Sequence, residues 1–266
     1  MSRRRLILSG FFLSLLAWAT AAPLQAQTAA QDVWPSLSKE LFQNRPIKEN
    51  DGVVILDAPA RAEDAAIVPM RLSFENPLNL KSAMLVIDQN PMPMAANFTI
   101  GPKAGVGFIE TRVRVNSYTM VHSVAETLEG RLHAQAKFVK AAGGCSAPAV
   151  KDQEQAKAHL GEMRYREFKT ADPMRREAQI MLRHPNNSGM QLDQLTRLYI
   201  PAHFIDRLEI RQGEDLIFLM EGGISLSEDP NFRFSYAPNG SKTLSVTARD
   251  NKGNIFKNEW PIAEAI

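Results

Sequence analysis

Short apolar runs separated by turn-forming residues recur along most of the chain, and this pattern constrains the fold more than any other feature. The runs begin at Val53 and are rich in Val, Ile, Phe and Thr, while Pro, Gly, Asn and Asp stand between them. Such a pattern is typical of short β-strands joined by tight turns. The predicted strands are 53–56, 67–74, 83–88, 96–100, 107–115, 120–127 and 132–139, followed by 177–182, 198–200, 205–210, 216–220, 232–236, 244–248 and 255–258.

Several of these runs alternate between apolar and polar residues. Val113 and Val115 alternate with Arg112 and Arg114, which predicts a strand with one buried face and one solvent-facing side. Seven short strands in each half favour antiparallel sandwiches over a βαβ arrangement. We therefore predict an all-β protein of two immunoglobulin-like antiparallel β-sandwich domains joined by a short linker, with a short helix at 36–42 before the first.

The composition changes after Val139, which predicts a domain boundary. Residues 141–149 are small and contain Gly and Pro, whereas residues 151–167 are charged and rich in helix-forming residues. The predicted division is a signal peptide at 1–26, a first sandwich at 27–142, a cysteine arm with a charged linker at 143–170, and a second sandwich at 171–266.

The N-terminus has the pattern of an export signal. Arg3, Arg4 and Arg5 precede an apolar run at 6–19, and small residues follow up to a predicted mature start near Gln27. The run is shorter than the roughly 20 residues that cross a bilayer, so cleavage is favoured over membrane anchoring. We expect a periplasmic protein with no membrane attachment after cleavage, exported by either the general or the twin-arginine route.

The charge of the mature chain argues against a nucleic-acid partner. Without residues 1–26 the chain keeps 28 of its 31 Lys and Arg and all 29 Asp and Glu, a net charge of −1. It contains no Lys/Arg-rich block that would grip phosphates. A GxGxxG, a Walker loop and an HExxH motif are also absent from the sequence, so no cofactor is predicted.

The chain has one cysteine, Cys145, which excludes an internal disulfide. Gly143 and Gly144 precede it, directly after the last predicted strand of the first half. Two glycines confer wide backbone freedom and add no side-chain bulk, so they predict a flexible tether that presents the thiol to another protein. The sequence thus indicates covalent carriage on Cys145, with no catalytic residue and no metal site.

Two other chemistries are compatible with the residues and less favoured. A thiol enzyme would pair Cys145 with a histidine base, and the candidates are His122, His133, His159, His184 and His203. No acidic partner for them stands out in the sequence. Met92 and Met94 form a Met-x-Met that would suit Cu(I), but core-filling methionines in a Pro-rich loop are the commoner explanation.

The first half resembles SoxY, the carrier subunit of thiosulfate oxidation, and the second half resembles its partner SoxZ. The SoxY-like segments are VILDAP at 54–59, AIVPM at 66–70, NPMP at 90–93, TRVRV at 111–115 and GGC at 143–145. The SoxZ-like segments are LRHP at 182–185 with SG at 188–189, IP at 200–201 before Ile205, and NFRF at 231–234. The chain is also similar to fused SoxYZ-like carriers associated with quinoprotein (PQQ-dependent) dehydrogenases.

The resemblance implies two packed immunoglobulin-like domains, with a cysteine that holds sulfur intermediates while partner oxidoreductases act on them. One departure matters: a SoxY chain ends just after its cysteine, whereas here Ser146 follows and the chain continues into the second half. Threading a free chain end into a partner is therefore excluded. We expect a periplasmic carrier with a sulfur-containing group on Cys145; the alternative is an accessory module for a quinoprotein dehydrogenase system without covalent cargo.

Overall fold

The computed structural model describes residues 32–148, 158–170, 172, 174–194 and 196–262. The predicted signal peptide at 1–26 lies outside these residues. The first half contains α1 (Trp34–Phe42), β1 (Ile47–Glu49), β2 (Val54–Asp57), β3 (Val68–Phe74), a 3-10 turn (Pro77–Asn79), β4 (Leu80–Ile87), β5 (Met94–Ile100), β6 (Phe108–Val113), β7 (Thr119–Thr127) and β8 (Leu132–Val139). The second half contains β9 (Met163–Phe168), β10 (Arg176–Leu182), β11 (Ile205–Gln212), β12 (Asp215–Gly222), β13 (Asn231–Tyr236), β14 (Thr243–Asp250) and β15 (Ile255–Pro261).

Within the described residues, these strands form two sheets, which confirms the all-β prediction. The larger sheet has nine strands in the order β1-β8-β7-β4-β5-β12-β11-β14-β15, and the smaller has six in the order β2-β3-β6-β13-β10-β9. Every pairing of neighbouring strands is antiparallel except that of β1 with β8. No helix in these parts of the chain is long and apolar enough to span a membrane.

Both sheets run without a break from the first half of the chain into the second. In the larger sheet β5 pairs with β12, for example Phe98 opposite Met220. In the smaller sheet β6 pairs with β13, where Ile109 lies opposite Phe234. Each half therefore completes the sheet edges of the other and so satisfies their backbone N–H and C=O groups.

A common apolar core lies between the two sheets and crosses the junction. Phe98 on β5 is fully buried and meets Phe218 on β12, with ring centroids 5.6 Å apart in an edge-to-face arrangement. Phe98 also meets Phe232 on β13, in the opposite sheet, at 6.3 Å. The two halves thus share one hydrophobic cluster.

The differences from the predicted elements concern short or polar segments. The strand expected at 198–200 is a single bridge between Leu192 and Tyr199. Strand β9 (Met163–Phe168) lies inside the segment expected to be a charged linker, and β1 (Ile47–Glu49) was not expected. Both are strands at sheet edges with mostly polar residues, whose pattern carries little strand signal.

Candidate functional site around Cys145

Cys145 lies in a segment that follows β8 and is packed against the body of the protein. We call residues 143–148 the cysteine segment. Cys145 itself has no solvent-exposed surface. The structure therefore does not show the accessible thiol on a projecting arm that the sequence suggested, although the role of Cys145 as a carrier stays a prediction.

Gly143 and Gly144 dock the cysteine segment onto the end of β6. The amide of Gly143 donates to the carbonyl of Asn116 at 2.8 Å, and that of Gly144 donates to Val115 at 3.0 Å. A Cβ atom on Gly144 would overlap the carbonyl oxygen of Ala65. In this conformation glycine is needed for close backbone approach, and the proposed role of the pair as a flexible tether applies only to a conformation in which these bonds are broken.

The side chain of Arg114 forms hydrogen bonds with both the cysteine segment and the second half. Its guanidinium donates to the carbonyl of Gly144 at 3.2 Å and to that of Asn186 at 3.5 Å. The Nε atom of Arg114 is buried without a hydrogen-bond partner. Sequence alternation had placed Arg114 on the solvent-facing side, but the residue is 1% exposed, because both the cysteine segment and the second half cover that side.

Burial and charge act in opposite directions on the Cys145 thiol. Burial raises its pKa above the ordinary value, since a thiolate is poorly solvated there, and the nearby Arg114 cation partly offsets this rise. Burial likewise lowers the pKa of Arg114, and Cys145, Glu228 and Asp64 oppose that change. Cys145 is thus a protonated, protected thiol in this conformation, whereas nucleophilic attack requires the thiolate.

Residues of the second half hold the cysteine segment closed. The Ser188 hydroxyl donates a hydrogen bond to the carbonyl of Cys145. The side-chain amide of Gln191 donates to the carbonyl of Ala147 at 3.1 Å, and its oxygen accepts from the amide of Ser188 at 3.0 Å. The carrier cysteine predicted in the first half is therefore covered by the turn at 184–191 of the second half, which includes part of the SoxZ-like motif.

The five histidines lie in different parts of the structure, and the hydrogen bonds of their rings do not involve Cys145. Each ring has an acidic neighbour, contrary to the expectation from sequence: His122 contacts Asp88 at 2.9 Å, and His133 contacts Asp51 at 2.6 Å. His159 bonds to Glu162 at 2.7 Å on the surface. These pairs support local structure, and they do not form the Cys–His dyad of a thiol enzyme.

A buried cluster brings together His184, His203 and Asp250. The Nε2 atom of His203 lies 2.7 Å from Asp250 Oδ2, and that of His184 lies 3.6 Å from the same oxygen. Burial and the neighbouring His203 lower the pKa of His184 to about 4. The sequence could not reveal this cluster, because its members are far apart in the chain and each stands in an ordinary turn or strand end.

Met92 is 36% exposed, so it is not a core residue; its sulfur lies against Gly223, and its carbonyl accepts a hydrogen bond from Ser225 at 2.9 Å.

Residues 38–145 match the family described as sulfur oxidation protein SoxY, and residues 165–261 match the family described as sulphur oxidation protein SoxZ. Among solved structures, the sulfur carrier protein SoxY from Chlorobium limicola f thiosulfatophilum is 24% identical, with a TM-score of 0.35 over 40% of this chain and 89% of that chain. A superoxide reductase (neelaredoxin) from Ignicoccus hospitalis is 13% identical, with a TM-score of 0.31 over 35% of this chain and 93% of that chain.

A comparison with curated protein sequences yields no significant match. The assignment accordingly rests on the two consecutive family matches, which agree with the order and spacing of the motifs in the sequence. The chain is a fused SoxY–SoxZ-like protein, in which a segment that matches the SoxY family precedes a segment that matches the SoxZ family.

Proposed function

We propose that this protein is a periplasmic carrier that holds a sulfur-containing group covalently on Cys145 and presents it to partner oxidising enzymes. The observation that carries the proposal is the position of the cysteine: the SoxY match ends at residue 145, and Cys145 is the single cysteine of the chain. The family matches support a carrier role in sulfur oxidation, and the Gly143–Gly144 pair precedes the thiol as a carrier segment requires.

Loading and unloading require the cysteine segment to leave its closed position. The contacts that must break include the hydrogen bonds from Arg114, Ser188 and Gln191. Since a net hydrogen bond contributes about 0.5–1.5 kcal/mol, local opening at a cost of a few kcal/mol is accessible without global unfolding. In this scheme the closed state shields the unloaded thiol of Cys145 from unwanted reactions in solution.

The chemistry of loading determines the kind of partner. Joining the sulfur of Cys145 to the sulfur of a sulfane-type substrate forms an S–S bond, removes the thiol proton and releases two electrons. A partner oxidoreductase must accept those electrons, because the carrier offers no second thiol. The carrier itself performs no independent catalysis in this proposal, and the N-terminal export signal supplies its delivery to the periplasm.

The proposal is tested by the intact mass of the mature protein purified from its native periplasm, before and after a reductant. We expect a mass increase that matches a sulfane, sulfonate or thiosulfonate adduct and disappears on reduction. The Cys145→Ser variant, prepared in the same way, should show no adduct. A free thiol under every growth condition with oxidisable sulfur would contradict covalent carriage.

The burial of Cys145 favours one second candidate: an accessory module that supports a quinoprotein dehydrogenase system through its surface, without covalent cargo. In that case the thiol is a core residue, and Cys145→Ser should leave growth dependent on the dehydrogenase unchanged. Loss of that growth in Cys145→Ser, with normal amounts of folded protein, would eliminate the accessory module.

A further inference from the structure

We propose that His184, His203 and Asp250 form a binding site for one first-row divalent cation of the zinc type. Their ligand atoms, two imidazole nitrogens and one carboxylate oxygen, all lie within 4.8 Å of one another. All three residues are buried. This site lies in the SoxZ-like half and is separate from the Cys145 thiol, so it does not depend on the carrier function.

Three different structural elements bring the ligands together. His184 follows the end of β10 (Arg176–Leu182), His203 precedes β11 (Ile205–Gln212), and Asp250 is the last residue of β14 (Thr243–Asp250). Because strand ends in a packed sandwich have little freedom, the ligand set exists before any ion binds. Such preorganisation lowers the entropic cost of binding.

One ligand separation already matches that of a bound ion. Zinc binds nitrogen and oxygen at about 2.0–2.2 Å, so two ligands of a tetrahedral ion lie about 3.4 Å apart. The distance between His184 Nε2 and Asp250 Oδ2 is 3.6 Å, which fits directly. His203 Nε2 lies 2.7 Å from the same oxygen and donates a proton to it in a hydrogen bond, so when the ion enters this nitrogen must move away slightly and release its proton to solvent or to its own Nδ1.

His184 Nε2 provides the second, independent observation. This atom is buried without a hydrogen-bond partner, in a residue that is 1% exposed. A buried nitrogen without a partner destabilises the folded protein, since it has lost its hydrogen bonds to water. A cation between this nitrogen and the carboxylate of Asp250 would supply the missing interaction.

The opposite side of the His184 ring is prepared for metal binding by Asn186. The Nδ1 atom of His184 lies 3.1 Å from Asn186 Oδ1. That oxygen also accepts from the amide of Ile205 at 3.0 Å, while Asn186 Nδ2 donates to Leu226, so the side-chain amide has a defined orientation. A proton on Nδ1 donated to this oxygen leaves the Nε2 lone pair free, as in most metal-bound histidines. The backbone N–H of Asn186 lies 3.1 Å from the same Nδ1 and donates to it in the other tautomer, so the two hydrogen bonds exclude each other and ion binding would require the tautomer with the proton on Nδ1.

Asp250 is held as an ionised ligand. Its Oδ1 atom accepts from the amides of Lys252 and Asn254, at 2.9 Å each, and its Oδ2 atom accepts from the Asn254 side chain at 2.8 Å. The cluster therefore combines a carboxylate with two imidazoles.

This ligand set distinguishes between classes of ion. Two imidazole nitrogens and one oxygen suit zinc, cobalt or nickel, whereas magnesium and calcium prefer oxygen ligands alone. The His203 residue is 8% exposed, so the site reaches solvent on that side. The three residues leave a fourth position of a tetrahedral zinc site for water.

The test uses the tag-free mature protein with the Cys145→Ser substitution, so that the thiol cannot bind metal. After treatment with a chelator and its removal, we expect Zn²⁺ titration followed by gel filtration and elemental analysis to give one zinc per chain. Co²⁺ in place of zinc should produce the visible absorption bands of a four-coordinate nitrogen–oxygen site. Thermal unfolding should shift upward as the free Zn²⁺ concentration increases.

Two variants test the ligands against a matched control. His203→Gln and Asp250→Asn should weaken zinc binding by roughly tenfold or more, because each substitution changes a group that binds the ion directly. His133→Gln is the control, because His133 is also buried, pairs with Asp51 and has an unpartnered Nε2, but belongs to no group of three ligating residues in the described parts of the chain. It should retain one zinc per chain.

The absence of stoichiometric zinc in the folded Cys145→Ser protein, together with absent cobalt bands, would overturn the proposal. An equal loss of zinc in His133→Gln and His203→Gln would also overturn it, as adventitious binding. The cobalt spectrum requires no ligand variant, so the proposal remains testable even if His203→Gln or Asp250→Asn fails to fold.

Discussion

At the scale of single residues, the environment of Cys145 depends on groups from both halves of the chain. Gly144 allows the backbone to approach Ala65, and Arg114 donates to the carbonyl of Gly144. From the second half, Ser188 donates to the carbonyl of Cys145. Each of these residues favours the closed conformation. The reactivity of the thiol should therefore report how often the segment opens.

Removing the Ser188 hydroxyl should increase the opening of the cysteine segment. In Ser188→Ala the carbonyl of Cys145 loses its buried donor. A hydrogen bond of about 0.5–1.5 kcal/mol corresponds to roughly two- to tenfold more frequent opening. We expect alkylation of Cys145 by iodoacetamide to accelerate by this factor at constant pH. Ser123→Ala, which removes a buried hydroxyl that donates to Gln135, is the control and should leave the rate unchanged; no acceleration in Ser188→Ala would show that Ser188 does not hold the segment.

The raised pKa of Cys145 predicts a loss of stability at alkaline pH. Above the ordinary thiol pKa of 9.0, the unfolded chain releases the proton while the folded chain keeps it, so the free energy of unfolding falls as pH rises. The contribution is fully present at neutral pH and disappears as pH passes the folded pKa. Urea unfolding under reducing conditions from pH 7 upward should show a steeper alkaline decline than Cys145→Ser shows. Parallel pH profiles of the two proteins would refute the raised pKa.

At the scale of secondary structure elements, the decisive contacts are those of β5 with β12 and of β6 with β13. These four strands would be sheet edges if the halves were separate, and unpaired edges promote association. The aromatic side chains above them link the two sheets as well as the two halves. Stability and domain association are therefore expected to depend on the same residues.

Phe98→Ala tests this dependence. Phe98 is fully buried and meets Phe218 and Phe232 of the other half. A large cavity at this junction should lower the free energy of unfolding by about 3–5 kcal/mol. Phe138→Ala, at a ring that is 42% exposed on β8, is the control and should change it by less than about 1 kcal/mol. Urea denaturation measures both, and similar small losses would show that the junction contributes little to stability.

At the scale of the whole molecule, the described residues from 32 onward form one compact unit. The SoxY-like half and the SoxZ-like half thus contribute strands to the same two continuous sheets. This arrangement predicts that the SoxY-like and SoxZ-like halves unfold together.

Two tryptophans allow that prediction to be measured. Trp34 lies in α1 of the first half, and Trp260 lies in β15 of the second. The mature variants Trp34→Phe and Trp260→Phe each leave one fluorescent reporter, and their urea transitions should have the same slope and midpoints that differ only by the effect of each substitution. Circular dichroism of each variant gives the control transition. A fluorescence transition in either variant that is separated from its own circular dichroism transition would indicate independent unfolding of the halves.

The local residue pattern determined the strands and the all-β class, because alternation and turn chemistry act between near neighbours in sequence. Strands such as Leu132–Val139 were predictable with their bounds for this reason. The sequence also identified Cys145 as the single cysteine of the chain. Motif resemblance extended the prediction to the order of the two families. Localisation and covalent cargo stay predictions.

Only the tertiary structure decided which strands share a sheet, where Arg114 lies, and whether the thiol is covered. Arg114 looks like a solvent-facing residue in its strand, and it is buried because the cysteine segment and the second half lie over it. His184, His203 and Asp250 likewise meet only after three strand ends converge. These properties depend on contacts between residues that are distant in sequence, and a local pattern carries no information about such contacts.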